Sequence, residues 1–271
     1  MWDETLSIED ITRLREAQLQ RFDDDIPFWI GLAETIGSPI LELGCGAGRV
    51  TIPLMLAGFP VDGLDSNSAA INRLSHRMNV HDLNAGELHL ARMQDFIIER
   101  AFNLIIIPCN TFSTLSDGDA IMSLENIGGH LKHQGTLVMD LPNPAFILDN
   151  ASEDELEPSD SFFEPETGNA CQVFTKQQYD IEAGRMSVSW TYDELHPDGE
   201  VVRHEMTLNH FLRTPAQMEH LLIATGFTQI ELYGDYDRTR FRPDAAHMLV
   251  RATRAFEHIT NFTNKRYSIQ V

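Results

Sequence analysis

The run Leu41-Glu42-Leu43-Gly44-Cys45-Gly46-Ala47-Gly48-Arg49, followed by an acid at Asp65, holds the residues of this chain best suited to chemistry. Three glycines at alternate positions let the backbone turn sharply from a strand into a helix. They also bring bare N–H groups against a ligand that a Cβ would exclude. The spacing narrows the ligand class. A dinucleotide loop runs G-x-G-x-x-G, its last glycine letting the helix pack closely behind a pyrophosphate. Here the glycines run G-x-G-x-G, and Glu42 precedes the first by two residues. An acid at the mouth of the turn suits a cationic ligand, so the loop reads as the site of a positively charged nucleoside cofactor.

The pattern E-x-G-x-G-x-G with an acid about twenty residues later resembles motifs I and II of class I S-adenosylmethionine (SAM) dependent methyltransferases, and the resemblance extends over residues 25 to 253. It implies that Glu42, Gly44, Cys45, Gly46 and Gly48 bind SAM. It also implies that Asp65, with Ser66 beside it at the end of Val61-Asp62-Gly63-Leu64-Asp65-Ser66-Asn67, accepts hydrogen bonds from the ribose hydroxyls. Ala91-Arg92-Met93-Gln94-Asp95-Phe96 resembles the segment that flanks the adenine, with Met93 over the ring. Arg92 stands where an adenine-binding Asp is common, which passes that contact to Gln94 or Asp95. The stretch from Leu104 through Pro108, Cys109 and Asn110 to Phe112 resembles the fourth strand and its exit, placing Pro108 at the methyl-donor end. Gly135 to Pro144 resembles the fifth strand.

These segments need a frame. Apolar runs near 39 to 43, 60 to 64, 87 to 91, 103 to 108 and 135 to 141 alternate with helical patterns beginning near 48, 67 and 117. That is the βαβ signature, with ligands expected beyond the carboxyl ends of the strands. Residues 228 to 236 and 247 to 252 read as a closing antiparallel pair, entered from a helix that Thr214 caps and Pro215 starts. The fold class is α/β: a Rossmann-like, doubly wound seven-stranded sheet with a small antiparallel β insertion. The expected division is a helical leader or lid at 1–38, a SAM-binding core at 39–145, an acidic loop and β insertion at 146–213, the end of the core sheet at 214–254, and a tail at 255–271. Phe28 and Trp29 in the leader serve core packing in preference to a lid. The insertion reads as three strands, separated by Glu182-Ala183-Gly184 and Pro197-Asp198-Gly199, behind a mobile acidic loop at 149 to 167. It would roof the site or support a homodimer.

Catalytic candidates lie where that roof meets the fourth strand: Asn110, His204 and Tyr192. On an alternating strand His204, Met206, Leu208 and His210 share one face. Two histidines at this spacing belong to surface or core far more often than to a metal, and no metal is expected. Composition limits the partners. Lys and Arg number 20 against 41 Asp and Glu, a net charge of -21, and a chain this acidic repels the phosphates of DNA and RNA. Three cysteines in no paired framework fit a reducing, cytoplasmic setting, and neither a secretory leader nor a bilayer-length apolar run stands in the sequence. The expectation is a SAM-dependent methyltransferase acting on a small-molecule acceptor. Two other readings share some of these features: an NAD-dependent oxidoreductase, opposed by Glu42 and the order of the five segments, and a SAM-binding module without turnover.

Overall fold

The computed structural model describes residues 4–84, 86–149 and 155–254. Seven strands form one sheet in the order β10-β11-β5-β4-β1-β2-β3. Its strands are β1 (Ile40–Leu43), β2 (Val61–Asp65), β3 (Leu88–Leu90), β4 (Phe102–Ile107), β5 (Leu131–Pro142), β10 (Phe227–Tyr233) and β11 (His247–Arg254). All run parallel except β11, which is antiparallel to both β5 and β10. β1 pairs with β2 on one side and β4 on the other. The chain therefore reverses direction across the sheet at β1, and a crevice opens beyond the carboxyl ends of β1 and β4.

Both faces of the sheet are covered, which is why the parallel strands read as nearly continuous apolar runs. Leu41, Leu43, Ile105 and Ile107 meet α5 (Asp117–His130) and α7 (Pro215–Ala224) on one face. Ile40, Leu104 and Ile106 meet α2 (Ile26–Ile36), α3 (Thr51–Leu56) and α4 (Ser68–Val80) on the other. Phe28 and Trp29 belong to this second core. The helix starts follow from local chemistry. Asn67 caps α4 by accepting from the Ala69 N–H, and Thr214 with Gln217 forms a reciprocal capping box on α7 behind Pro215.

The insertion forms a second sheet of four antiparallel strands, not three: β6 (Glu157–Phe163), β7 (Ala170–Asp180), β8 (Arg185–Leu195) and β9 (Val201–Phe211). β6 lies within the expected acidic loop. Its charges mark an edge strand, where only Phe162 is buried and the register shifts between Pro158 and Asp160; polar, bulged edges of this kind resist further pairing. The turns after β7 and β8 carry Gly184 and Gly199 at φ 60° and 89°, as the sequence predicts. A short α6 (Pro144–Asp149) leads into the insertion, and residues 150–154 and the tail at 255–271 lie outside the described residues.

Helix α1 (Glu4–Leu19) lies between the insertion sheet and α4. Leu14 and Ala17 pack with Val173, Tyr192 and Phe162 of the insertion. Arg13 pairs with Glu164 at 2.9 Å and Glu194 at 2.8 Å, both buried. On the other side Thr12 receives a hydrogen bond from Asn67 Nδ2 at 3.1 Å, and Glu16 pairs with Arg73 and Arg77 of α4. No helix among the described residues is long and apolar enough to cross a membrane.

Candidate active site

A cavity of about 570 Å³ opens at the crevice. The glycine loop and the ends of β1, β2 and β4 form its floor, one side of α1 its wall, and the inner face of β7, β8 and β9 its roof. Glu42, Gly44, Cys45, Gly46, Asp65, Pro108 and Asn110 border it from the core.

The glycines are set by contact as well as by conformation. Gly44 has φ +72°, and a Cβ there would stand 2.4 Å from Thr111 Cγ2, so the loop and the β4 exit approach backbone to side chain. Gly48 has φ +89°, and its Cβ would collide with Leu74 of α4 at 2.4 Å. The Cβ position of Gly46 is open, with no atom within 4 Å, while its N–H donates to Asp65 Oδ2 at 2.8 Å. Asp65 Oδ1 accepts from the Asn67 N–H at 2.9 Å. Two backbone donors thus fix the carboxylate at the cavity edge and leave further lone pairs for a diol.

Glu42 is buried and accepts a hydrogen bond from the Thr51 hydroxyl. Burial pushes its carboxyl up to about 8, with the Thr51 bond pulling the other way. Within the window from the ordinary value near 4.3 to about 8, the native state holds a proton that the unfolded chain has lost. Stability contributed by this group is therefore full at low pH and falls as pH rises through that window. Glu42→Gln should flatten this fall in urea unfolding followed from pH 5 to 9, by an amount on the order of a few kcal/mol at the alkaline end. An identical slope in the two proteins would show that Glu42 does not hold the proton.

Arg49, immediately after the loop, was not singled out by the sequence. It forms two bonds to the fully buried Asp25 at 2.5 and 2.6 Å, one to the Phe22 carbonyl at 3.0 Å, and one to Cys109 Sγ at 2.8 Å. Trp29 Nε1 donates to the same Asp25 at 2.9 Å. Asp25 therefore ties the start of α2 to the glycine loop. Its only sequence signal was an acidic run directly before the aromatic α2.

At the β4 exit, Cys109 and Asn110 both adopt left-handed backbone conformations, φ 56° and 58°. Non-glycine residues hold that region only where their surroundings enforce it. The turn places the Asn110 carbonyl where Ser113 Oγ donates to it at 2.6 Å. Ser113 has only one proton, so its 2.7 Å contact with His210 runs from Nδ1–H to the serine oxygen. His210 borders the cavity, and with Nδ1 committed, Nε2 is the ring nitrogen left for a ligand. Burial, with Arg15 nearby, lowers the imidazole pKa below its ordinary value and keeps the ring neutral near pH 7.

Several expected residues stand elsewhere. Tyr192 is fully buried under α1, its hydroxyl donating to Gln18 Oε1 at 2.7 Å, and it does not border the cavity. His204 pairs opposite Tyr192 and lies 3.9 Å from Glu194, again beneath α1. Both share a sheet face with the cavity residues, but the helix covers their end of it, and His210 is the histidine of that face that borders the cavity. Ser66 is exposed and outside the lining, where Asn67 takes its place. Met93 is buried in the core beside Gly44, and Asp95 is exposed in an ion pair with Arg92. Neither these two nor Gln94 borders the cavity. Cys45 is buried as expected of a packing residue, whereas Cys109 is exposed. Among the described residues no cluster suits a metal ion.

Residues 40–135, which contain the glycine loop, Asp65 and the β4 exit, match the family described as methyltransferase domain. That match, over about a third of the chain, supports the class I SAM-dependent methyltransferase superfamily, and the fold agrees with it. The CcbJ methyltransferase from Streptomyces caelestis superposes with a TM-score of 0.73 over 86% of this chain and 95% of that one, at 20% identity, a likeness of fold. Among curated methyltransferases, the glycine/sarcosine N-methyltransferase of Aphanothece halophytica is 26% identical over 209 residues, 76% of this chain and 72% of that protein. The cypemycin N-terminal methyltransferase of a Streptomyces species is 28% identical over 110 residues, 40% of this chain. The chain spans less than half, 44%, of that relative's length. The dinucleotide reading gains no support from these matches.

Proposed function

We propose that this protein transfers the methyl group of SAM to the nitrogen of a small-molecule amine. The observation that carries the reading is the placement of one buried, neutral imidazole, His210, in the same cavity as an acidic glycine-loop floor. The floor fits the cofactor. Glu42 is a buried acid at the mouth of the glycine turn, Gly46 leaves the volume of a Cβ open, and Asp65 presents an oriented carboxylate to a diol. Glu42, Gly44, Gly46 and Asp65 would hold SAM there, with Asn67 beside the ribose. When bound, SAM supplies an electrophilic methyl group on a sulfonium.

The residues of the chain then have two tasks. Pro108, Asn110 and the roof align the nucleophile in a confined space, a positioning effect worth several kcal/mol of the barrier. His210 handles the proton. An ammonium has no lone pair, so Nε2 first accepts a proton from the acceptor nitrogen, which leaves that nitrogen free to form its bond to carbon. The name of one curated relative, a glycine/sarcosine N-methyltransferase, supports an amine over a hydroxyl or carbon acceptor. The acidic surface favours a small molecule over a nucleic acid.

The first test is ligand-dependent melting of cofactor-stripped protein, followed by methyl transfer from labelled SAM to a panel of amines. Stabilisation by SAM and S-adenosylhomocysteine (SAH), and not by NAD or NADP, is expected by mass action. A shift with a dinucleotide alone overturns the reading, and binding without transfer to any acceptor favours a module that does not turn over. Asp65→Ala should weaken SAH binding by about 1.5 to 3 kcal/mol through loss of charge-assisted bonds. Calorimetry that returns the wild-type affinity would remove Asp65 from the ribose site.

A further inference from the structure

We propose that Arg15 is the receptor for an anionic oxygen group on the acceptor, so that the preferred amine carries a carboxylate or a phosphate. The inference rests on the amine-methylation reading above. It starts from the charges that border the cavity. On the floor, Asp65 provides negative charge suited to a cation, Glu42 is a buried carboxyl, and Arg49 is spent on Asp25. Arg15 of α1 differs: no carboxylate among the described residues stands within ion-pair distance of it, although it borders the cavity.

Its position is nevertheless fixed. The guanidinium lies over the Trp190 ring, 4.0 Å from the centroid, and Nη1 donates to Gln18 Oε1 at 3.1 Å. Gln18 is itself held by the Tyr192 hydroxyl at 2.7 Å. Stacking on an indole orients the planar fork without using its N–H groups, and the donors not turned to Gln18 and the Tyr192 hydroxyl remain for a ligand. A fork in that state matches the two oxygens of a carboxylate or phosphate.

The location selects the acceptor over the cofactor. Arg15 lies against the roof, on Trp190; it borders the same cavity as the floor residues that would hold the cofactor, and no contact joins it to them among the described residues. It also acts electrostatically on His210, the proton acceptor. Amine and anion therefore belong to one small molecule whose nitrogen meets His210 and whose oxygens meet Arg15.

The experiment titrates SAH-saturated wild type and Arg15→Gln with two matched pairs: glycine against glycinamide, and glucosamine 6-phosphate against glucosamine. In at least one pair the charged probe should bind wild type about tenfold tighter than its neutral partner. The substitution should abolish that preference and leave SAH affinity unchanged. The pair that responds distinguishes carboxylate from phosphate. Equal binding within both pairs, or no binding of either anion, overturns the proposal. A roughly tenfold loss of SAH affinity in Arg15→Gln also overturns it, by assigning the guanidinium to the cofactor's own carboxylate. Should that variant fail to fold, Arg15→Lys, which keeps the charge and loses the fork, is read instead for a reduced preference. Binding of a charged probe with no methyl transfer would leave the anion site standing and remove N-methylation. Transfer to amines without charge preference would do the reverse.

Discussion

His210→Gln is expected to lower kcat for an amine acceptor about 100-fold or more while leaving the affinity for SAH unchanged. The imidazole is buried, lowered in pKa, and committed through Nδ1 to Ser113, so Nε2 is the basic atom facing the cavity. Glutamine keeps a polar group of similar reach and removes the base. The pH profile gives a second readout. Wild-type kcat/KM should rise with pH through a limb below the ordinary histidine value and then level, because the proton must leave His210 before it can act. In the variant that limb should vanish. Ser113→Ala leaves the ring in place without the oxygen that holds Nδ1–H, so it should lose a smaller part of kcat and shift the limb. Wild-type turnover in His210→Gln would assign proton removal to solvent.

Asp25→Ala should cost about 3 to 5 kcal/mol of stability, the penalty for leaving one member of a buried ion pair uncompensated. Asp25 is fully buried and accepts two bonds from Arg49 and one from Trp29. Without it a guanidinium with little access to water keeps only a carbonyl and a thiol as partners. For a chain of this size that loss corresponds to a melting temperature lower by about 10 °C. Asp25→Asn retains an acceptor for both donors and should fall between. Urea unfolding checks the ranking, and a loss below about 1 kcal/mol would mean that the pair behaves as an exposed one. Because Arg49 follows Gly48 directly, the variant should also bind SAH more weakly than its stability at the assay temperature explains.

The parallel sheet was legible because its information is local. Buried strands show as apolar runs, helices show their period, Gly44 and Gly48 occur where both a positive φ and a close approach exclude a Cβ, and Gly46 occurs where the turn takes a positive φ. The roof was legible in pattern and not in placement. Period two assigns Met186, Val188, Trp190 and Tyr192 to one face, with Met206, Leu208, His204 and His210 opposite. It does not say which end of that face is covered. The decision lies with α1, whose Arg13 meets Glu194 across 181 positions of sequence, and no local rule carries that contact. Non-local partners also hid Arg15, stacked on Trp190, and Arg49, bonded to Asp25 and Cys109. β6 was missed for another reason: an edge strand that avoids aggregation is charged and bulged, and so reads as a loop. Met93, Gln94 and Asp95 were assigned by resemblance, and the cavity borders none of them.

Helix α1 has a consequence for how such a chain diversifies. Thr12 and Glu16 grip the nucleotide-binding half through Asn67, Arg73 and Arg77, while Arg13, Leu14, Ala17 and Gln18 grip the insertion. The two sets interleave along a single helix on different sides of it. Residues that meet a new guest molecule can therefore be exchanged, together with the strands they lean on, while the side that keeps the donor in place is inherited intact. One ancestral scaffold can in this way acquire many clients without relearning how to hold its reagent.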